Sequence, residues 1–187
     1  MGATAGLVLA AGEGRRFGGP KAPYELDGVR LVDRAVAVLR EAGCDPVVVV
    51  LGAWLGEVPG AQVVRNDDWA TGMGSSLRVG LDAVARHDGV ERVAVTLVDL
   101  PGLTAEAVRR ALAGAAGTAD GAPARALAVA TYDGRRGHPV VLGRAHWAGA
   151  AASAAGDRGA RDYLATHAPV LVEVGDVASD DDLDERP

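Results

Sequence analysis

Hydrophobic and polar positions alternate in blocks along this chain of 187 residues. Short runs of consecutive aliphatic residues are typical of strands that are buried on both faces of a parallel sheet. The strands predicted from such runs cover residues 4–10, 46–51, 62–65, 92–98, 126–131, 140–142 and 169–174. Between them, apolar residues recur at intervals of three and four positions, which predicts helices with one buried face. These helices cover residues 31–42, 105–115, 144–155 and 160–166, and another begins near Ser75.

Strands and helices alternate through most of the chain, and this order favours a mainly parallel sheet with helices on both faces. One strand near Gly137-His138-Pro139 is expected to run antiparallel to the others. We therefore predict an α/β protein, a three-layer α/β/α sandwich with a mostly parallel sheet, in which residues 1–175 form a single domain. Residues 176–187 are acidic and contain few apolar side chains, so we expect a flexible tail there.

Composition and charge narrow the range of functions. A net charge of −6 argues against a general nucleic-acid binder and against a protein that binds anionic membranes. The single cysteine, Cys44, excludes an intramolecular disulfide, and we interpret it as a small packed residue. No signal peptide precedes the first strand and no apolar run approaches the length that spans a membrane, which predicts a cytoplasmic enzyme.

The first predicted strand opens into a loop that is rich in glycine and basic residues. The loop reads Gly12-Glu13-Gly14-Arg15-Arg16-Phe17-Gly18-Gly19-Pro20-Lys21. Glycine lets backbone N–H groups turn toward a ligand and the basic side chains supply full positive charge, so we predict that the loop binds a polyphosphate. The third glycine of dinucleotide-binding loops and the Gly-Lys-Ser/Thr of Walker loops are both absent. The simpler alternative is a glycine-rich turn whose basic residues face solvent.

Two later stretches carry candidate ligand-binding residues. Thr71, Ser75 and Ser76 can cap a helix, whose N-terminus would then present free N–H groups to an anion; an ordinary serine cap is the alternative. Asp99 follows a predicted parallel strand, at the end of the sheet where open α/β proteins place their ligands. A carboxylate there can hold Mg²⁺ against triphosphate oxygens, whereas the alternative is a plain turn residue.

The second half of the chain adds weaker candidates. Residues 132–139 form a predicted loop that contains Arg136 and His138, and this loop either faces an acceptor substrate or is a solvated hairpin. Asp157 precedes a predicted helix at 160–166 and could cap it.

Taken together, these motifs resemble a known enzyme family over nearly the whole chain. The first loop matches the nucleotidyltransferase signature L-A-A-G-x-G-x-R-x-G-x-x-K from Leu9 to Lys21. With the later motifs, the chain is similar to the molybdenum cofactor cytidylyltransferases and their MobA-like relatives, which implies a Rossmann-like nucleotidyltransferase fold. The later motifs are Asn66-x-x-Trp69-x-x-Gly72-Met73-x-Ser75-Ser76-Leu77-x-x-Gly80, Asp99-x-Pro101, Gly137-His138-Pro139 and Gly156-Asp157-x-Gly159-Ala160-Arg161.

The resemblance implies roles for individual residues. Arg16, Lys21 and Asp99 would be catalytic, Asp99 and more weakly Asp157 would hold Mg²⁺, and Arg136 and His138 would face the acceptor. The residues that would bind the nucleotide are Leu9, Ala10, Ala11, Gly12, Gly14, Arg16, Lys21, Ser75, Ser76 and Asp99. The Gly-Met-x-Ser-Ser-Leu element, and Ala11 where the guanylyl branch usually has glycine, favour CTP.

The sequence departs from the family motifs at two places, and two alternatives to the expected function stay open. Leu100 stands where the family commonly has Gln, and residues 182–187 keep the acids of the family's closing motif but lack its Thr. We expect transfer of CMP to a molybdopterin-type cofactor, with pyrophosphate release. The same fold could instead act on a sugar phosphate, phospholactate or an isoprenoid phosphate. A non-catalytic nucleotide-binding module, or a chaperone partner of a molybdoenzyme, is the third reading.

Overall fold

The computed structural model describes residues 2–116 and 122–186, and a seven-stranded sheet forms its centre. The strands are β1 (Ala3–Ala10), β2 (Glu25–Leu26), β3 (Val29–Arg30), β4 (Val47–Leu51), β5 (Gln62–Arg65), β6 (Val90–Leu97), β7 (Leu127–Tyr132), β8 (Arg135–Gly143) and β9 (Val170–Glu173). The helices are α1 (Leu31–Glu41), α2 (Met73–Ala85), α3 (Ala105–Ala115), α4 (Arg144–Ser153) and α5 (Arg161–Thr166). Residues 117–121, between α3 and β7, lie outside the described residues.

The large sheet has the strand order β5-β4-β1-β6-β8-β7-β9. Strands β5, β4, β1 and β6 are parallel to one another, and β7 is parallel to β9. Strand β8 pairs antiparallel with both of its neighbours, β6 and β7. The prediction of a mostly parallel sheet with one antiparallel strand is therefore confirmed.

Helices cover both faces of this sheet and produce two apolar layers. Val8 of β1 packs with α1 and α3 on one face, whereas Leu7 and Leu9 pack with α2, α4 and α5 on the other. Successive side chains of a strand point to opposite faces, so a strand buried on both faces must be apolar at every position. This geometry explains the continuous aliphatic runs and confirms the three-layer α/β/α sandwich.

Two local features of the fold follow from short-range sequence rules. The small hairpin of β2 and β3 turns at Asp27 and Gly28, whose φ angles of 53° and 78° are those of the tight turn that such hairpins favour. Thr104 caps α3, and its hydroxyl oxygen accepts a hydrogen bond from the backbone N–H of Ala107 at 3.2 Å.

The predicted serine and threonine caps of α2 are wrong. The residue in the capping position is Gly72, which makes no side-chain capping hydrogen bond. Ser75 lies inside the first turn and donates its hydroxyl to the carbonyl oxygens of Asp68 and Gly72, at 3.0 and 2.9 Å. Gly72 has a φ of 110°, and a Cβ there would lie 2.4 Å from the carbonyl carbon of Gly156, so only glycine fits.

Two further placements differ from the sequence prediction. Arg136 and His138 lie within strand β8 and not in a loop, because the hairpin turns earlier, at Asp133 and Gly134. Asp157 does not cap α5: the capping residue is Ala160, which receives no side-chain bond, and Asp157 lies in a short 3₁₀ turn.

Residues 176–186 pass the carboxyl end of the central strand β6, in the segment where the sequence predicts a flexible tail. The N–H of Leu183 donates to the carbonyl of Asp99 at 2.9 Å, and the N–H of Ser179 donates to the carbonyl of Gly102 at 3.1 Å. Leu183 also packs against the apolar layer that contains α1 and α3, together with Val177. This path carries the end of the chain to the first glycine loop.

Cys44 is buried, as the sequence predicts, and burial raises the pKa of its thiol to about 11. The thiol is therefore protonated at neutral pH, which suits a packed residue and not a nucleophile. Among the described residues, none of the helices has the length and apolar character needed to cross a membrane.

Candidate functional site

A pocket of about 260 Å³ opens where β1 and β6 end. The glycine loop after β1, Asp99 after β6 and the first turn of α2 meet there. Its lining residues are Leu9, Ala10, Ala11, Gly12, Gly14, Lys21, Trp69, Gly72, Met73, Ser76, Leu97, Val98, Asp99 and Asp157. The structure thus brings together most of the residues predicted to bind a nucleotide, except Ser75 and Arg16, which do not line the pocket.

The glycine loop is held in a tight backbone turn. The carbonyl of Gly14 accepts hydrogen bonds from the N–H groups of Gly18 and Gly19, at 2.8 and 3.1 Å. A Cβ on Gly14 would lie 2.1 Å from the carbonyl oxygen of Gly19, and its φ is +61°. Phe17 anchors the loop from beneath, because its buried ring packs edge-on against Tyr24 with 4.8 Å between ring centroids.

Lys21 is the cationic centre of the pocket. Its Nζ lies 2.8 Å from Oδ2 of Asp99 and 3.4 Å from Oδ1 of Asp184, and its side chain is only 13% exposed. Burial acts to lower the pKa of Lys21, but hydrogen bonds and charge from the two carboxylates outweigh it and raise the pKa above its ordinary value. Lys21 is therefore a fixed positive charge at neutral pH.

Asp99 has one carboxylate oxygen with no partner. Oδ2 accepts from Lys21, whereas Oδ1 is buried and receives no hydrogen bond from the described residues. A buried acceptor of this kind suits a cation or a ligand donor. The described residues hold no cluster of three or more His, Cys, Asp or Glu that could bind a metal ion. Mg²⁺, however, commonly uses one or two carboxylates plus substrate phosphates, and Asp99 and Asp157 on one pocket fit that pattern.

Arg16 extends from the loop beside the pocket. Its Nη1 lies 3.2 Å from Oδ2 of Asp184, and its side chain is 81% exposed. Arg186 closes the loop from the other side, donating to the carbonyl of Phe17 at 3.1 Å. The sequence prediction assigned no role to Asp184 or Arg186, because the composition of the tail predicts a flexible segment. For Asp184, the opposite charges of the loop and the tail were an available signal.

The two serines of α2 are positioned by a buried asparagine. The Nδ2 group of Asn66 donates to the hydroxyl oxygens of Ser75 and Ser76, at 2.8 and 3.0 Å. The Oδ1 atom of Asn66 accepts from the N–H of Asp68 at 3.0 Å. Ser76 faces the pocket and Ser75 lies behind it. Asn66 belongs to a motif that the sequence shows, but its positioning role becomes visible only in the fold.

A second, larger cavity of about 480 Å³ adjoins the first and shares Leu9, Met73 and Leu97 with it. Arg136 and His138 both line it, so the structure places these predicted acceptor residues beside the smaller pocket. The other polar residues at this cavity, which the sequence did not single out as ligand-binding, are Arg158, Arg161, Asp180 and Asp182.

His138 is a neutral side chain at pH 7. Burial lowers its pKa to about 4; the charge of Asp99 acts to raise it, and the charge of Arg161 acts to lower it further. A neutral imidazole can both donate and accept a hydrogen bond at this cavity.

A basic glycine loop, a helix N-terminus and a carboxylate at the ends of parallel strands, on a Rossmann-like sheet, define the class of α/β nucleotidyltransferases. The family model of the MobA-like NTP transferase domain matches residues 6–170. The chain therefore belongs to the MobA-like NTP transferase family.

The relatives that this chain matches carry different functional names. The chain is 36% identical to the nicotine blue oxidoreductase of Paenarthrobacter nicotinovorans, over 94% of this chain and 87% of that protein. It is 40% identical to a protein of Opitutus terrae named "Probable molybdenum cofactor guanylyltransferase", over 55% of this chain and 51% of that protein. Among solved structures, a homologue of Mycobacterium tuberculosis Rv0371c from Mycobacterium sp. strain JC1 superposes with a TM-score of 0.77 at 27% identity. This match covers 97% of this chain and 90% of that one.

Proposed function

We propose that this protein transfers a nucleoside monophosphate from a nucleoside triphosphate to a phosphate group on a small acceptor, and releases pyrophosphate. The observation that carries the proposal is the Lys21–Asp99 pair at 2.8 Å, set between the glycine loop and the first turn of α2. The pair joins a cation for the triphosphate to a carboxylate with one buried oxygen left free.

In this reaction an oxygen of the acceptor phosphate attacks the α-phosphorus. A new P–O bond forms there, the bond to the bridging oxygen of the β-phosphate breaks, and pyrophosphate leaves with that electron pair. A phosphate monoester is largely a dianion at neutral pH, since its second pKa is near 6, so the chain need not supply a general base. Lys21 and Arg16 would offset the growing charge on the leaving group, and the larger cavity would align the acceptor.

Asp99 and Asp157 are the residues proposed to hold Mg²⁺. When bound there, the ion would neutralise charge on the triphosphate oxygens. The unpartnered Oδ1 of Asp99 supports this assignment.

The nucleotide and the acceptor are finer proposals. CTP is favoured by the Gly-Met-x-Ser-Ser-Leu element and by Ala11 in the glycine loop. GTP is the alternative, because the Opitutus terrae relative carries a guanylyltransferase name. That name also supports molybdopterin-type cofactor as the acceptor, and a molybdoenzyme or its chaperone as a partner that receives the product.

The test measures pyrophosphate release with Mg²⁺, each of the four triphosphates in turn, and molybdopterin-type cofactor as the acceptor. We expect release with CTP that depends on the cofactor and is lost in Asp99→Asn. Asp82→Asn is the matched control, because Asp82 lies on the surface of α2 and its partner is Arg86, outside the pocket. Release with GTP alone would change the proposed nucleotide from CTP to GTP. No release with any triphosphate or phosphate acceptor would overturn the proposal.

An oxidoreductase is the second candidate, favoured by the match to nicotine blue oxidoreductase over nearly the whole of both chains. The larger cavity, with its mainly aliphatic floor, could hold a planar dye. The test is consumption of NADH or NADPH with nicotine blue as the electron acceptor. Reduction of the dye without any pyrophosphate release would favour this candidate over nucleotidyl transfer.

A further inference from the structure

The larger cavity combines an apolar floor with charged groups at its mouth. Its floor consists of Leu77, Val95, Val129, Val140, Leu142 and Leu164, in addition to the residues shared with the smaller pocket. A site of about 480 Å³ with this division suits a small molecule that has an apolar body and a charged end. The charged residues therefore decide which end groups the cavity accepts.

Two arginines at this cavity have no protein partner within residues 2–116 and 122–186. Arg136 on β8 and Arg161 at the start of α5 both line the cavity, and neither forms an ion pair or a side-chain hydrogen bond with a described residue. Arg158, which lines the same cavity, is paired with Asp162. The two unpaired guanidinium groups thus keep all of their donors available for a ligand.

The acids at the cavity do not cancel this charge. Asp180 is already paired with Arg135, at 3.2 Å. Asp182 is the one other acid on the cavity wall, against the two unpaired arginines. Because His138 is neutral at pH 7, the balance at the mouth is one positive charge before a ligand arrives.

We propose that Arg161 acts with Arg136 as an anion-binding pair that selects acceptors with a dianionic phosphate on an apolar body. This inference rests on the proposed function for the identity of the site as an acceptor site, but the binding itself is independent of turnover. Each guanidinium group can donate two parallel hydrogen bonds to phosphate oxygens. One such group on β8 and one on α5 can together hold a dianion. Neutral molecules with the same apolar body would gain nothing from this pair.

The experiment measures binding of two probes, 1-naphthyl phosphate and uncharged 1-naphthol, by calorimetry or by line broadening in NMR spectra of the probes. The proteins are the full chain and its Arg161→Gln, Arg136→Gln and Arg158→Gln variants. Loss of one charge-assisted contact predicts roughly 10-fold weaker binding of the phosphate in Arg161→Gln and in Arg136→Gln. Binding of 1-naphthol should stay unchanged in both. Arg158→Gln is the matched control and should change phosphate binding by less than about twofold.

Wild-type affinity of Arg161→Gln for 1-naphthyl phosphate would overturn the proposal, as would an equal loss in Arg158→Gln. An equal loss of 1-naphthol binding would also overturn it, because it would reveal a general change of shape. Thermal unfolding of each variant checks that the fold is intact. If nucleotidyl transfer is absent for every triphosphate while the arginine-dependent binding persists, the proposed function fails and the anion-binding pair stands.

Discussion

The two adjoining cavities hold their positive charges in different ways. In the smaller pocket, Lys21 is paired with Asp99 and Asp184, and Arg16 beside it is paired with Asp184. In the larger cavity, Arg136 and Arg161 have no partner among the described residues.

Burial explains the difference. The side chain of Lys21 is only 13% exposed, and an ammonium with so little access to water needs a carboxylate beside it. Arg136 and Arg161 are exposed at the cavity mouth, where water can solvate a free guanidinium. A triphosphate that enters the smaller pocket must therefore replace existing ion pairs, whereas an anion that enters the larger cavity meets free charge.

Removal of Lys21 should produce the largest change. In Lys21→Ala the leaving pyrophosphate loses a preorganised cation, and we expect kcat to fall by about 100-fold or more. Pyrophosphate release under saturating triphosphate measures this. Arg15→Ala is the matched control in the same loop, since Arg15 is 83% exposed and pairs with the neighbouring Glu13.

Near wild-type kcat in Lys21→Ala would remove Lys21 from the mechanism and leave its pair with Asp99 as a structural feature alone. The substitution also strips Asp99 of its partner, so thermal unfolding must accompany the rate measurement. A fall in rate with an unchanged unfolding temperature would assign the effect to chemistry.

The sequence predicts those parts of the molecule that short-range rules decide. The continuous valines predict strand β4, which the structure confirms, and the cap at Thr104 likewise depends only on hydrogen bonding within a few residues. The cap of α2 was predicted wrongly because its geometry is imposed from elsewhere. Gly72 packs against the backbone of Gly156, a contact between residues far apart in sequence.

The candidate site shows the same limit. The motif spacing predicts the glycine loop and Asp99, and these do line one pocket. The spacing says nothing of Asp184, because only the fold brings the end of the chain back to Lys21. Arg161 lies in a recognised motif, yet its value to a ligand depends on having no partner, which is a property of the folded surface.

His138 provides a pH test of the larger cavity. Its pKa is about 4 in the folded protein, against 6.5 for an ordinary histidine, so the unfolded chain takes up this proton first as pH falls. The free energy of unfolding should therefore be unaffected by this group above about pH 6.5 and should fall between that value and pH 4. The His138 side chain keeps some contact with water, which weakens the effect of burial, so we expect a loss of about 1–2 kcal/mol between pH 7 and 4.5.

Urea unfolding at the two pH values, without metal or nucleotide, measures this loss in the wild type and in His138→Gln. Acids elsewhere contribute equally to both proteins, so the difference between them isolates His138. Identical pH dependence in the two proteins would show that His138 is as free to protonate in the fold as in the unfolded chain, and that the cavity is wetter than its lining suggests.

Asp184 should give the smallest effect, and it tests the contrast between paired and free cations most directly. Its carboxylate is 46% exposed and occupies Arg16 and Lys21, the two cations proposed to receive the triphosphate. In Asp184→Asn the ligand no longer displaces a competing charge, so we expect CTP to bind about 2- to 5-fold more tightly, the scale of one exposed ion pair. Calorimetry measures the affinity, with Asp181→Asn in the same tail as the control, because the Asp181 side chain accepts from Ser179 and pairs with no cation among the described residues. The gain should shrink at high salt, which screens exposed pairs.

Weaker CTP binding in Asp184→Asn would reverse the interpretation. The tail would then hold Lys21 in place for the nucleotide, and the ion pairs of the smaller pocket would prepare its cations for the ligand and not compete with it.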